Sequence, residues 1–71
     1  MRPLAAKQVI RILRDNGFML SRQRGSHMIW ANRRTGAIVP VPLHAGSKPI
    51  HQGTLLAIIK QSKIPRRKFE R

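Results

Sequence analysis

The apolar residues of this chain change their spacing twice, and this order limits the fold more than any other feature. A stripe spaced by three and four residues opens the chain and is typical of a helix with one buried face. Asn16-Gly17 can enter the left-handed region and end that helix. From Phe18 the spacing becomes two, as in strands, and helical spacing returns after residue 54. The first stripe comprises Ala6, Val9, Ile10 and Leu13.

Three strands are predicted between the two helices, over residues 18–22, 26–32 and 37–43. Arg24-Gly25 separates the first two strands, and Gly36 supplies a positive φ for a hairpin turn over residues 32–36. Pro40 and Pro42 cannot donate to a hydrogen-bond ladder, so the third strand should lie at an edge of the sheet. Its valines should face the core.

Thr54 is the predicted N-cap of the second helix, which ends at Ile64-Pro65. Two alternatives stay open for the basic tail, residues 66–71: it is mobile, or Phe69 docks onto the domain. We predict one α+β domain over residues 1–65, a three-stranded antiparallel meander with two helices on one face. The other face of the sheet is then open to a ligand.

Charge is the strongest global feature, since 15 Lys and Arg stand against Asp15 and Glu70, for a formal net charge of +13. Such self-repulsion destabilises a compact domain and is relieved by a polyanion or an acidic protein. The basic residues are spread over several predicted elements, which disfavours an anionic membrane as partner. The absence of cysteine and of any apolar run near the ~20 residues of a membrane span predicts a soluble, cytoplasmic protein.

Most catalytic constellations are excluded by the scarcity of acids. His27, His44 and His51 lack the short spacing of metal-ligand pairs, and the two acids lie at distant points of the chain, so we expect no metal and no cofactor. A Ser-His-acid triad and a glycine-rich phosphate loop are likewise not supported. Metal-free acid–base chemistry on an anion remains.

RNA suits this chemistry because its own 2′-hydroxyl is the nucleophile, so a protein needs to supply only proton transfer and positive charge. A histidine titrates near neutral pH and can act as base or acid. His27 is the candidate, because Arg22 and Arg24 precede it and Gly25 lets a phosphate approach the backbone. The competing interpretation is a packed strand histidine, and His44 is a possible second acid–base group or a loop cap. His51 is expected to be exposed to solvent.

Four short motifs, in this order and spacing, resemble the HicA family of toxins over residues 6–64. The chain differs from the family at Ala5, where a capping Ser or Thr is common, and at Met28, where a polar residue often follows the histidine. The motifs are Asn16-Gly17-Phe18, Arg22-Gln23-Arg24-Gly25-Ser26-His27, Val41-Pro42-Leu43-His44 and Gly53-Thr54-Leu55.

The resemblance implies a fold like a double-stranded RNA-binding domain and an mRNA interferase whose catalytic histidine is His27. It also implies a HicB-like antitoxin that binds the toxin and masks this histidine. A homo-oligomer and a toxin–antitoxin hetero-oligomer both stay open. The expected RNA-binding and phosphate-binding residues are Arg22, Arg24, Gly25, Ser26 and, from its loop alone, Lys48.

Two further alternatives stay open. A non-catalytic RNA-binding module would use the same fold and charge to grip phosphates and 2′-hydroxyls. A small basic protein that only assembles with an acidic partner would bind RNA weakly. Trp30 could stack on a base, but a core position is favoured, since the chain has only three aromatic residues.

Overall fold

The computed structural model describes residues 2–43 and 48–70. Helix α1 covers Ala6–Asp15, strand β1 Met19–Arg24, strand β2 His27–Ala31, strand β3 Ile38–Pro42 and helix α2 Gln52–Ser62, followed by a short 3-10 helix at Arg66–Phe69. The strands form one antiparallel sheet in the order β1-β2-β3. The predicted α-β-β-β-α arrangement is therefore confirmed.

Helix α1 ends as predicted, with Asn16 as C-cap and Gly17 at φ +90°. The predicted stripe packs against the core, with Ile10 half-buried at its margin, but it omitted Ile12, which is buried. The helix is covered from two sides, by the sheet and by the C-terminal segment, so its buried face is rotated toward Ile12. Ala5 precedes the helix in an extended conformation, and its N–H donates to Oε1 of Gln8 at 2.8 Å.

The core face of the sheet carries Trp30 of β2 and Val39 and Val41 of β3, all at most 1% exposed. The valines of β3 face the core and β3 lies at an edge, as its two prolines predicted. A bulge lies in β1 between Leu20 and Arg22. Alternation along the strands therefore buries one side of the sheet and leaves the other open.

Asn32 joins the β2–β3 turn to the end of α1. Its Oδ1 accepts hydrogen bonds from the N–H groups of Arg34 at 2.9 Å and Thr35 at 3.4 Å. Its Nδ2 donates to the carbonyl oxygen of Asn16 at 3.1 Å. Gly36 adopts φ +76° in the same turn, as predicted. This buried amide holds the sheet and the first helix in a fixed relation.

Helix α2 begins earlier than predicted. Its N-cap is His51, whose Nδ1 accepts a hydrogen bond from the N–H of Gly53 at 3.1 Å. The expectation that Thr54 caps the helix is wrong, because Thr54 already lies within the first turn. A neutral imidazole nitrogen accepts a hydrogen bond as a capping oxygen does, although histidine is not among the usual caps.

Phe69 takes the docked alternative. Its side chain is 0% exposed and belongs to the same core as Leu4 and Ile12. The 3-10 helix that carries Phe69 contacts α1, and Nζ of Lys68 donates to Oδ1 of Asn16 at 3.2 Å. The residues after Pro65 therefore complete the core on the side of α1.

Candidate functional site

His27 is placed by a tight hairpin between β1 and β2. Gly25 and Ser26 form the two-residue loop, and Gly25 adopts φ +56° at the first position. A glycine with positive φ at this position is the signature of a type II′ turn, whose twist matches that of the strands. The loop makes Arg24 and His27 directly opposed partners in the ladder.

Arg22, Arg24 and His27 share the open face of the sheet. Arg24 is the Cα partner of His27, and Arg22 is the partner of Ile29, two residues further along β2. Directly opposed residues on antiparallel strands lie on the same face, with Cβ atoms about 5 Å apart. All three side chains are exposed. The structure therefore brings together the two arginines and the histidine that the sequence singled out.

No acidic side chain stands in any of the three strands. The open face therefore presents positive charge around His27 without an internal counter-charge from the sheet. Met28 lies on the opposite face, half-buried against the core, so the difference from the family at this position does not alter the surface around His27.

The other predicted site residues are placed less directly. Lys48 is exposed, at the start of a segment in which Pro49 pairs with Ala5. It is not among the described residues that line the surface next to His27. Ser26 is exposed, and its carbonyl oxygen accepts from the N–H of Leu43 at 2.6 Å. His44 lies outside the described residues.

Trp30 belongs to the core. Its side chain is 1% exposed, and the guanidinium carbon of Arg14 lies 5.3 Å from the ring centroid. A ring buried to this extent cannot stack on a base, so the core alternative is confirmed. The nearby arginine gains a cation–π contact of about 0.5–1 kcal/mol at such a partly exposed site.

A groove that sequence reasoning missed runs beside His27, and we call it the β3–α2 groove. One wall consists of His27, Pro40 and Pro42, and the other comes from residues 53–61 of α2. Strand β3 and helix α2 are in contact along this edge of the sheet. The signal in the sequence was the set Thr54, Ala57 and Gln61, which are small or neutral polar residues at helical spacing beside the buried stripe of α2. Nothing in the sequence showed that this face lies next to the histidine.

Within residues 2–43 and 48–70, no group of three or more His, Cys, Asp or Glu side chains is arranged to hold a metal ion. The same part of the chain contains no helix long and apolar enough to cross a membrane.

A comparison with protein families decides the family. The model described as HicA toxin of bacterial toxin-antitoxin matches residues 6–64, which includes both helices, all three strands and the hairpin of His27. The chain belongs to the HicA toxin family. Membership in a toxin–antitoxin family implies an antitoxin partner, and it confirms the resemblance found in the sequence motifs. A comparison with curated proteins gave no match. Phe69 lies beyond the matched residues, so the family pattern does not include this part of the core.

Proposed function

We propose that this HicA-family toxin is an endoribonuclease that cleaves mRNA in the cytoplasm and thereby inhibits translation and growth. His27 is its acid–base catalyst, and the reaction requires no metal. The observation that carries the proposal is the pairing of Arg24 with His27 across the β1–β2 hairpin, with Arg22 on the same exposed face. Two cations on β1 therefore lie on one side of the proposed proton-transfer group, on a face that is open to an extended polyanion.

The reaction proceeds by transesterification. A base removes the proton of the 2′-hydroxyl, whose oxygen attacks the adjacent phosphorus and expels the 5′-oxygen of the next nucleotide. An acid protonates that leaving oxygen. The products are a 2′,3′-cyclic phosphate and a 5′-hydroxyl. His27 supplies one or both proton transfers, and His44 is the candidate for the second group if two are needed.

The arginines supply positive charge where the phosphorane develops negative charge. A guanidinium forms two parallel hydrogen bonds with a phosphate and remains charged at every relevant pH. Arg24 is closest in register to His27 and is the first candidate for this role. Arg22 and Lys48 bind flanking phosphates. Around Gly25 the space is open, with no heavy atom within 4 Å of a Cβ built at this position, so a phosphate can approach the backbone of Gly25 and Ser26.

A HicB-like antitoxin is the proposed partner, and it inhibits the toxin by covering His27. The net charge of +13 favours an acidic surface on such an antitoxin. The antitoxin and RNA then compete for the same open face of the sheet.

The test is cleavage of an end-labelled RNA in the presence of EDTA. Wild-type protein should cut and leave cyclic-phosphate ends, and His27→Ala should lose at least a hundredfold in rate, since one general acid or base contributes about 10²–10⁴-fold. The affinity of His27→Ala for 2′-O-methyl RNA, which cannot be cleaved, should stay within a few fold of wild type.

His51→Asn is the matched control, because it removes another exposed imidazole while asparagine retains the helix cap. This variant should cleave at the wild-type rate. If His27→Ala cleaves as fast as wild type, His27 is not the catalyst. If neither wild type nor His27→Ala cleaves while both bind RNA, the chain is a non-catalytic RNA-binding module.

A further inference from the structure

The β3–α2 groove differs in chemistry from the rest of the molecular surface. The chain has 15 Lys and Arg, yet none of them is among the residues that line this groove, and no acid is either. Its floor is Ile58, which is 2% exposed. Apart from His27 at its edge, the lining residues offer no counter-charge to a phosphate or an acidic peptide. The groove suits a neutral ligand that is partly apolar.

The two walls of the groove suit a flat heterocycle. Pro40 presents an exposed apolar ring from β3, and Pro42, which is buried, lies at the base of the same wall. Thr54, Ala57 and Gln61 line the opposite wall at intervals of three and four residues, so they share one face of α2 over two turns, about 10 Å. The small Ala57 stands between a hydroxyl and an amide. This combination leaves room for a ring and offers hydrogen bonds to its edge.

The position of the groove relative to His27 indicates which kind of heterocycle would fit. Arg24, His27 and Pro42 are consecutive Cα partners across the three strands, and this row spans about 10 Å at the usual strand separation. Cations lie on one side of His27 and the neutral groove lies on the other. A nucleotide has the same order, with a phosphate at one end and a base at the other.

We propose that the β3–α2 groove holds the base of the nucleotide next to the scissile phosphate of single-stranded RNA. The inference rests on the proposed nuclease function and adds the source of its sequence preference. Gln61 and Thr54 read the edge of the base, and the exposed ring of Pro40 packs against its face. A glutamine amide can accept a hydrogen bond from the N6 amine of adenine while one of its N–H groups donates to N7, so we expect cleavage preferentially beside adenine.

The test compares cleavage-site distributions on a random-sequence RNA pool. Ala57→Phe fills the groove and should lower kcat/KM at least tenfold, whereas Leu56→Phe, at an exposed position of the same helix outside the groove, should stay within twofold. Gln61→Ala should weaken the preference for adenine, measured as the fraction of cuts beside adenine against those beside the other three bases. Ala57 and Gln61 are both exposed, so their substitution should leave the fold intact. Thermal unfolding of each variant verifies this.

The outcomes separate this proposal from the proposed function. If His27→Ala abolishes cleavage while Ala57→Phe and Gln61→Ala change neither rate nor site distribution, the groove proposal is wrong and the nuclease function stands. If wild type does not cleave, the nuclease function is wrong. The groove is then tested by NMR with a 2′-O-methyl oligoadenylate, where shifts of the Ala57 and Gln61 amides support base binding and their absence overturns it.

Discussion

Replacing Phe69 by alanine tests whether the segment after Pro65 belongs to the folded domain. Phe69 is 0% exposed and packs in the core with Leu4 and Ile12, and a buried Phe→Ala change costs about 3–5 kcal/mol. The space vacated adjoins a surface groove lined by Leu4 and Ile12, so water can enter and the lower end, about 3 kcal/mol, is expected. A domain of 71 residues has a total stability of about 4–11 kcal/mol. The variant should therefore retain about 1–8 kcal/mol of stability, so it is still folded in water but measurably weakened.

Urea unfolding followed by circular dichroism measures this loss. With an m-value of about 1 kcal/mol/M for so small a domain, the midpoint should fall by about 3 M. Arg67→Ala is the control within the same 3-10 helix, because its side chain is exposed and its change should stay within about 0.5 kcal/mol. A loss below about 1 kcal/mol for Phe69→Ala would refute the docked position, and residues 66–71 would then be a tail outside the domain.

Three further predictions concern single positions. Ala5→Ser should raise the free energy of unfolding by about 0.5–1 kcal/mol. The serine hydroxyl can accept a hydrogen bond from the Gln8 N–H and complete a capping box that the Gln8 side chain already half forms. An unchanged urea midpoint contradicts this prediction. Gly36→Ala should cost about 1 kcal/mol in the same assay, since φ is +76° and no heavy atom lies within 4 Å of the added Cβ. Gly36→Asn should recover part of that loss, and equal losses would show that the left-handed backbone is not the cause. Arg24→Ala should reduce the slope of log K, where K is the association constant for single-stranded 2′-O-methyl RNA, against log salt by about 0.7, the share of one phosphate contact. Fluorescence anisotropy at four salt concentrations measures this slope, and a wild-type slope means that Arg24 touches no phosphate.

Much of the fold could be predicted because each element has a local signal. Spacing in the sequence identified the two helices and three strands, and Gly36 and the two prolines fixed a turn and an edge. The errors concern features set by tertiary packing. Ile12 is buried because the C-terminal segment covers a second side of α1, and no local pattern shows where Phe69 will dock. His51 caps α2 although its residue type is an uncommon cap.

The candidate site divides in the same way. Arg22, Arg24 and His27 are close in sequence, and a two-residue loop is enough to bring them onto one face. The β3–α2 groove joins residues from β3 and α2, which are separated by a long connection, so their proximity is a property of the packed domain. Lys48 was assigned from its loop alone, and the position of a loop residue relative to the sheet is likewise a property of the packed domain.

The two edges of the sheet differ in their capacity to accept another strand. Pro40 and Pro42 remove two donors from β3, and α2 lies along that side, so β3 is protected against edge-to-edge pairing. Strand β1 has no proline, but its bulge and its arginines interrupt a regular edge. Without these features, the exposed six-residue edge of β1 could pair with the edge of another copy and lead to aggregation. Here the features that shape the groove and lie beside His27 also disfavour edge-to-edge pairing of the sheet with another copy.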